Sequence, residues 1–281
     1  SAGLSNVEVL SLTVAGTATF EGDTSINTVK IGTTDTNQTV NLNDGTTQAY
    51  TVDISGDADS ADVINNNANV QLTLKAKSAD IHTTLDVTGS AGTSDVLNIT
   101  STATGEADFD SNNDVFETIN VVAVGTSIAT TLDLGAYDST GTGVVGASTI
   151  TINASSLSAT NTLVLNDAAV VSSMNITSGA GADDITLGTG ADVVSSGAGN
   201  DTVTGTTGAS NTVDTGDGVD TMILSASVSE NISMGAGNDI ITAATNLDAL
   251  DTIDGGDGVD TLSITGGISN SSVIGGVSNV E

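Results

Sequence analysis

Apolar positions along this chain fall in short runs that alternate with polar ones, a period of two rather than the spacing of a helix. Such runs lie at 7–13, 39–42, 50–54, 70–74, 85–87, 96–99, 118–122, 149–152 and 163–165, with Val, Ile and Leu set between Thr, Asn and Ser. β-Branched residues on one face and short polar residues on the other describe a half-buried strand. No stretch repeats apolar residues at helical spacing, so the predicted class is all-β. Asn43-Asp44-Gly45, between two of the runs, predicts a tight hairpin turn. Many of the other runs lack a two-residue turn and lie 10 to 14 residues apart, which a continued coil explains more simply than a sandwich.

From Ser178 the texture changes. Residues 178–204 read SGAGADDIT, LGTGADVVS and SGAGNDTVT, three nonapeptides of the form x-G-x-G-x-D-x-U-x with U apolar. Gly179, Gly181 and Asp183 fall in register with Gly188, Gly190 and Asp192, and with Gly197, Gly199 and Asp201. The form returns as Gly216, Gly218 and Asp220, as Gly235, Gly237 and Asp239, and as Gly256, Gly258 and Asp260. A fixed short period marks a stacked coil. Its paired glycines predict tight turns with φ > 0, its Asp a carboxylate at the turn, and its apolar residue an inward-pointing strand centre.

Asp183, Asp201, Asp220, Asp239 and Asp260 are separated by 18, 19, 19 and 21 residues, two nonapeptides per step. Between them stand half-turns that keep only an acid or amide before the apolar residue: Asn211, Glu230 and Asp251. One edge of the coil is thus predicted to keep its loops, while Asp192 is the main survivor on the other. On that reading Asp251→Ala matters much less than Asp220→Ala.

Stacked coils lie about 4.8 Å apart, so the aspartates of the strong edge form a column of like charges. Two charges about 4 Å apart repel by roughly 1 kcal/mol in water and about 4 kcal/mol at an effective dielectric near 20. The column therefore calls for cations between its rungs, and carboxylate and carbonyl oxygens are hard ligands that favour Ca²⁺ over zinc or copper. Gly and Asp are also turn formers in their own right, but turn chemistry alone does not impose the doubled period. The motif resembles the RTX calcium-binding nonapeptide G-G-x-G-x-D-x-U-x, with Ser178, Leu187 or Ser196 in place of the first glycine. The resemblance covers roughly 178–264. It implies a parallel β-roll, a form of β-solenoid, whose named glycines and aspartates hold several Ca²⁺ ions between 183/201, 201/220, 220/239 and 239/260.

Composition narrows the classes further. Aromatic residues make up 2% of the 281, with no Trp, which favours narrow β coils over a thick globular core. Proline is absent, so nothing removes a ladder donor. Cysteine is absent too, which excludes disulfides and leaves bound metal as a possible staple. Against 35 acidic residues stand only Lys30, Lys75 and Lys77, a formal charge of −32 that repels phosphate backbones and anionic headgroups. Nucleic acid is therefore not an expected partner, nor is direct membrane insertion, since no apolar run approaches the roughly 20 residues of a span. His82 is the only histidine, and neither a nucleophile elbow nor a zinc-type His cluster occurs, so no enzyme is expected. The acidic stretches 56–64, 92–97 and 106–110 are read as solvated turns in preference to further ion sites.

Ser5-Asn-Val-Glu8, Asp114-Val-Phe-Glu117 and Ser278-Asn-Val-Glu281 share a phrase. It predicts module boundaries and, with the nonapeptides, divides the chain into a Thr/Asn-rich solenoid-like region at 1–177 with a boundary near 113, the RTX-like roll at 178–264, and the start of a following module at 265–281. Together with the threonine-rich strands, the phrase resembles bacterial surface-layer proteins of the RTX-bearing kind. That resemblance implies a structural protein of the bacterial cell surface that self-assembles outside the cell after type I secretion. Its partners would be copies of itself or neighbouring modules, with cell-surface polysaccharide bound through a region outside this chain. A stalk module of a large secreted RTX adhesin, or the calcium-folded tail of a secreted enzyme, are the alternatives.

Overall fold

A computed structural model describes residues 9–12, 16–20, 27–31, 38–42, 49–55, 63–65, 72–77, 86–88, 96–108, 116–134, 149–168, 170–224, 229–243, 247, 249–265 and 275–281. Within them the chain is a β-solenoid of parallel strands, as the alternating runs predict. Successive strands go to opposite faces. One face is a long sheet of thirteen strands, from Val9–Leu12 and Thr28–Ile31 through Val96–Ser101 and Ser173–Thr177 to Thr252–Asp254 and Val277–Ser278. The other face begins as four strands, Gly16–Phe20 to Asp86–Thr88, and resumes as eight, Gly105–Asp108 to Thr261–Ser263.

The period of two decides which side chains make the core. In Val96–Ser101 the residues Leu97, Ile99 and Ser101 are buried while their neighbours are half-exposed. From Asp184 to Ser263 each strand of the two faces has three residues and a single inward side chain, such as Ile185, Val203, Met222 and Ile241 on one face and Val194, Val213, Ile232 and Ile253 on the other. Burying each contributes about 1.5–3 kcal/mol, so a coil of the later region has about half the strand-borne core of an earlier one. Its edges must supply more.

Two sequence expectations change, and one shared phrase takes two structural settings. Residues 43–45 lie outside the described residues, but the strands flanking them, Gln38–Leu42 and Tyr50–Asp53, belong to different sheets and do not form a hairpin. Glu106 and Asp108 lie in the strand Gly105–Asp108 rather than in a turn. The shared phrase also occupies two different places. Glu117 immediately precedes the long-sheet strand Thr118–Ala123, whereas Glu281 follows Val277–Ser278, at the opposite edge. The acidic stretches 56–62 and 91–95, Glu8 and His82 fall outside the described residues.

Candidate metal centre

The turns at one edge lead from the long sheet to the eight-stranded sheet, and from Asp183 onward each ends on an aspartate set just before a strand. This is the strong edge of the sequence pattern. Asp183, Asp201, Asp220, Asp239 and Asp260 are all at most 2% exposed. Their Oδ1 atoms accept backbone N–H groups from one coil back: Leu163 to Asp183 at 2.7 Å, then Asp183 to Asp201, Asp201 to Asp220, Asp220 to Asp239 and Asp239 to Asp260, each at 2.8 Å. The Asp260 N–H in turn meets Glu281 Oε2 at 2.9 Å. Each carboxylate thus extends the sheet ladder by one side-chain rung. A hydroxyl ladder runs beside it, Ser178 to the Ser196 carbonyl, Ser196 to that of Thr215 and Thr215 to that of Met234, at 2.7, 3.0 and 2.7 Å.

Glycine is required here for two different reasons. Gly216 has φ +91°, a left-handed conformation that side chains resist. Gly218 lies flat on the coil beneath, where a Cβ would overlap the Gly199 carbonyl oxygen. Positive φ occurs at Gly197, Gly199, Gly216, Gly235, Gly256 and Gly258 but not at Gly179, Gly181, Gly188, Gly190, Gly218 or Gly237, so the expectation of left-handed glycines holds for half of the motif positions and close stacking explains the rest.

The opposite edge departs from expectation more sharply. Its turns have lost most of their glycines, yet the side-chain ladder persists. Met174 donates its N–H to Asp192 Oδ1 at 2.8 Å, Asp192 to Asn211 Oδ1 at 2.9 Å, Asn211 to Glu230 Oε2 at 3.1 Å, and Glu230 to Asp251 Oδ1 at 2.9 Å. All four acceptor residues are buried. An amide and a longer acid serve because the N–H needs only an oxygen in the right place. Asp251→Ala, which the sequence pattern ranks as mild, is therefore expected to leave the buried Glu230 N–H without its acceptor, a cost of about 1–3 kcal/mol. Melting of the calcium-free variant against the parent checks this.

One hydrogen bond per carboxylate leaves the second oxygen to be accounted for. Asp183 Oδ2 accepts the Gly179 N–H at 3.1 Å. The Oδ2 atoms of Asp192, Asp201, Asp220, Asp239 and Asp260 are buried without a hydrogen-bond partner. Burial pushes the Asp192 and Asp201 carboxyls up to about 6, against the Met174 and Gly188 N–H groups at Asp192 and the Asp183 N–H and Ser196 hydroxyl at Asp201. Neither Gly188 nor Ser196 makes a hydrogen bond to Oδ2. Burial likewise raises Asp183, Asp220 and Asp239. Unpartnered, desolvated carboxylate oxygens at successive rungs suit a hard cation. Among the described residues no three acidic or imidazole side chains converge on one point. An ion held here would therefore combine single carboxylates from successive rungs with backbone carbonyls of the glycine turns.

Comparison with family models, with curated proteins and with solved structures finds no match for this chain.

Proposed function

We propose that this chain is a calcium-stabilised structural segment of a secreted bacterial surface-layer protein that assembles with copies of itself on the cell exterior. The observation that carries the reading is the run of buried carboxylates whose Oδ2 atoms have no protein partner, stacked along the solenoid axis. Ca²⁺ supplies the missing positive charge, with each ion held between successive strong-edge turns at the residue pairs given by the nonapeptide spacing. The support for a structural rather than a catalytic role is that the acids are distributed rung by rung instead of gathered at one point. Association follows from the charge. At −32 the copies repel one another, and bound calcium removes part of that repulsion.

The test is light scattering and electron microscopy of the purified protein across a calcium titration. Extended sheets forming at millimolar calcium are the expected result. Strictly monomeric particles at every calcium concentration, in protein carrying its native neighbouring modules, would rule out the surface layer and leave the adhesin stalk.

A further inference from the structure

Asp167 stands outside both ladders. It directly follows the strand Thr162–Asn166, and its N–H continues that strand's ladder to the Thr186 carbonyl at 3.2 Å. In other coils the same place is held by Leu134, Leu187, Leu224 and Ala243, which make the equivalent bond and are buried, and by the half-buried Gly205. A carboxylate therefore occupies an inward column of aliphatic side chains. Asp167 is 0% exposed, and neither of its carboxylate oxygens has a hydrogen-bond partner. The ladder aspartates each engage at least one oxygen; this one engages none.

A second acid meets the same turn. Asp167 follows the strand on one face, and Asp192 Oδ1 accepts the N–H of Met174, in the next strand of the long sheet, at 2.8 Å. Asp192 Oδ2 is buried and unpartnered like the two oxygens of Asp167. The turn that carries Asp192 stacks directly on that of Asp167, with the Thr189 N–H on the Val170 carbonyl at 2.7 Å. A Cβ added at Gly188, in the turn of Asp192, would overlap the Val170 carbonyl oxygen and lie 3.1 Å from that of Asp167, so the two acids stand on turns in direct backbone contact. A buried acid with no partner is costly, and an aliphatic residue would be the ordinary occupant of this column.

We propose that Asp167 and Asp192 together bind one divalent cation, at the edge opposite the strong one, through these three unpartnered oxygens. The site takes its second acid from outside the nonapeptide, so metal stabilisation begins one turn before the repeat does. That the ion is calcium rests on the calcium reading above.

The experiment counts ions. Calcium bound per chain is measured by equilibrium dialysis at pH 7.5 for the parent, Asp167→Leu and Asp220→Ala, with melting in EGTA and in calcium. Leucine matches the column, so Asp167→Leu is expected to melt higher than the parent in EGTA, to bind one ion fewer, and to gain less from calcium. Asp167→Asn, measured in the same way, serves if the leucine variant does not fold. Unchanged stoichiometry and an unchanged calcium gain in the folded variant would make Asp167 a neutral core residue and overturn the proposal. If Asp220→Ala loses ions while the Asp167 variants lose none, only this site falls. A parent that binds no calcium removes both readings.

Discussion

Stripped of divalent ions, the protein is expected to be more stable and richer in β-structure at pH 4.5 than at pH 7.5, the reverse of what Ca²⁺ produces. Six buried aspartates have carboxyls raised above the ordinary value of 3.8, Asp192 and Asp201 to about 6 and Asp167 to about 9, all chiefly by burial. An acid whose pKa is higher folded than unfolded binds its proton more tightly in the fold. Its contribution is fully present below the unfolded value and is lost as pH rises through the folded one. For Asp192 and Asp201 the loss runs from about pH 4 to pH 6, and for Asp167 it continues to about pH 9. Self-repulsion at −32 acts in the same direction. The melting temperature should fall by several degrees between pH 4.5 and 7.5, since about 1 kcal/mol moves a chain of this size by about 2–4 °C. Calcium needs the ionised carboxylates, so with the ion present the order reverses. Higher ion-free melting at pH 7.5 than at pH 4.5 would show that burial of these acids is not destabilising.

Asp220 separates the two jobs of a ladder acid. It is 0% exposed, its Oδ1 accepts the Asp201 N–H at 2.8 Å, and its Oδ2 has no partner. Asp220→Ala removes both jobs. It leaves the Asp201 N–H buried without an acceptor, at about 1–3 kcal/mol, and is expected to melt below the parent in EGTA and further below it in calcium. Asp220→Asn keeps an acceptor for Asp201 and removes the buried charge, as Asn211 already does for Asp192 on the other edge at 2.9 Å. The asparagine variant is therefore expected to melt a few degrees above the parent in EGTA and below it in millimolar calcium. Differential scanning calorimetry of the three proteins in both buffers shows whether the order crosses. An asparagine variant less stable than the parent in EGTA, or equal to it in calcium, contradicts the assignment.

The strong-edge ladder was legible because one residue type recurs at one spacing. The steps of 18, 19, 19 and 21 between its aspartates are the sequence separations of the hydrogen bonds that join them. The opposite edge was legible only as a frame, an acid or amide before each apolar residue, and its continuous ladder was not, since Asp192, Asn211, Glu230 and Asp251 share only an acceptor oxygen, which is all that a backbone N–H selects. Asp167 belongs to no repeat. It becomes visible only when the strand ends are aligned and an acid appears among leucines. Among the strands, Ala129–Asp133 escaped because its inward Thr130 breaks the apolar alternation, a break made good by a buried hydroxyl bond to Ser101 at 2.7 Å. Among its described side chains, Gly105–Asp108 presents the small Ala107 inward. The Asn43-Asp44-Gly45 signal misled because a solenoid sends consecutive strands to different faces, so local turn propensity does not decide which strands pair.

Far-UV circular dichroism and melting of this chain at pH 7.5, in EGTA and across a calcium titration, test the central claim most directly. A weaker β signal and a lower melting temperature in EGTA, both rising with calcium at a midpoint of about 10⁻⁴ to 10⁻³ M as in extracellular calcium modules, are the predicted result. A spectrum and melting temperature unchanged by EGTA would contradict it.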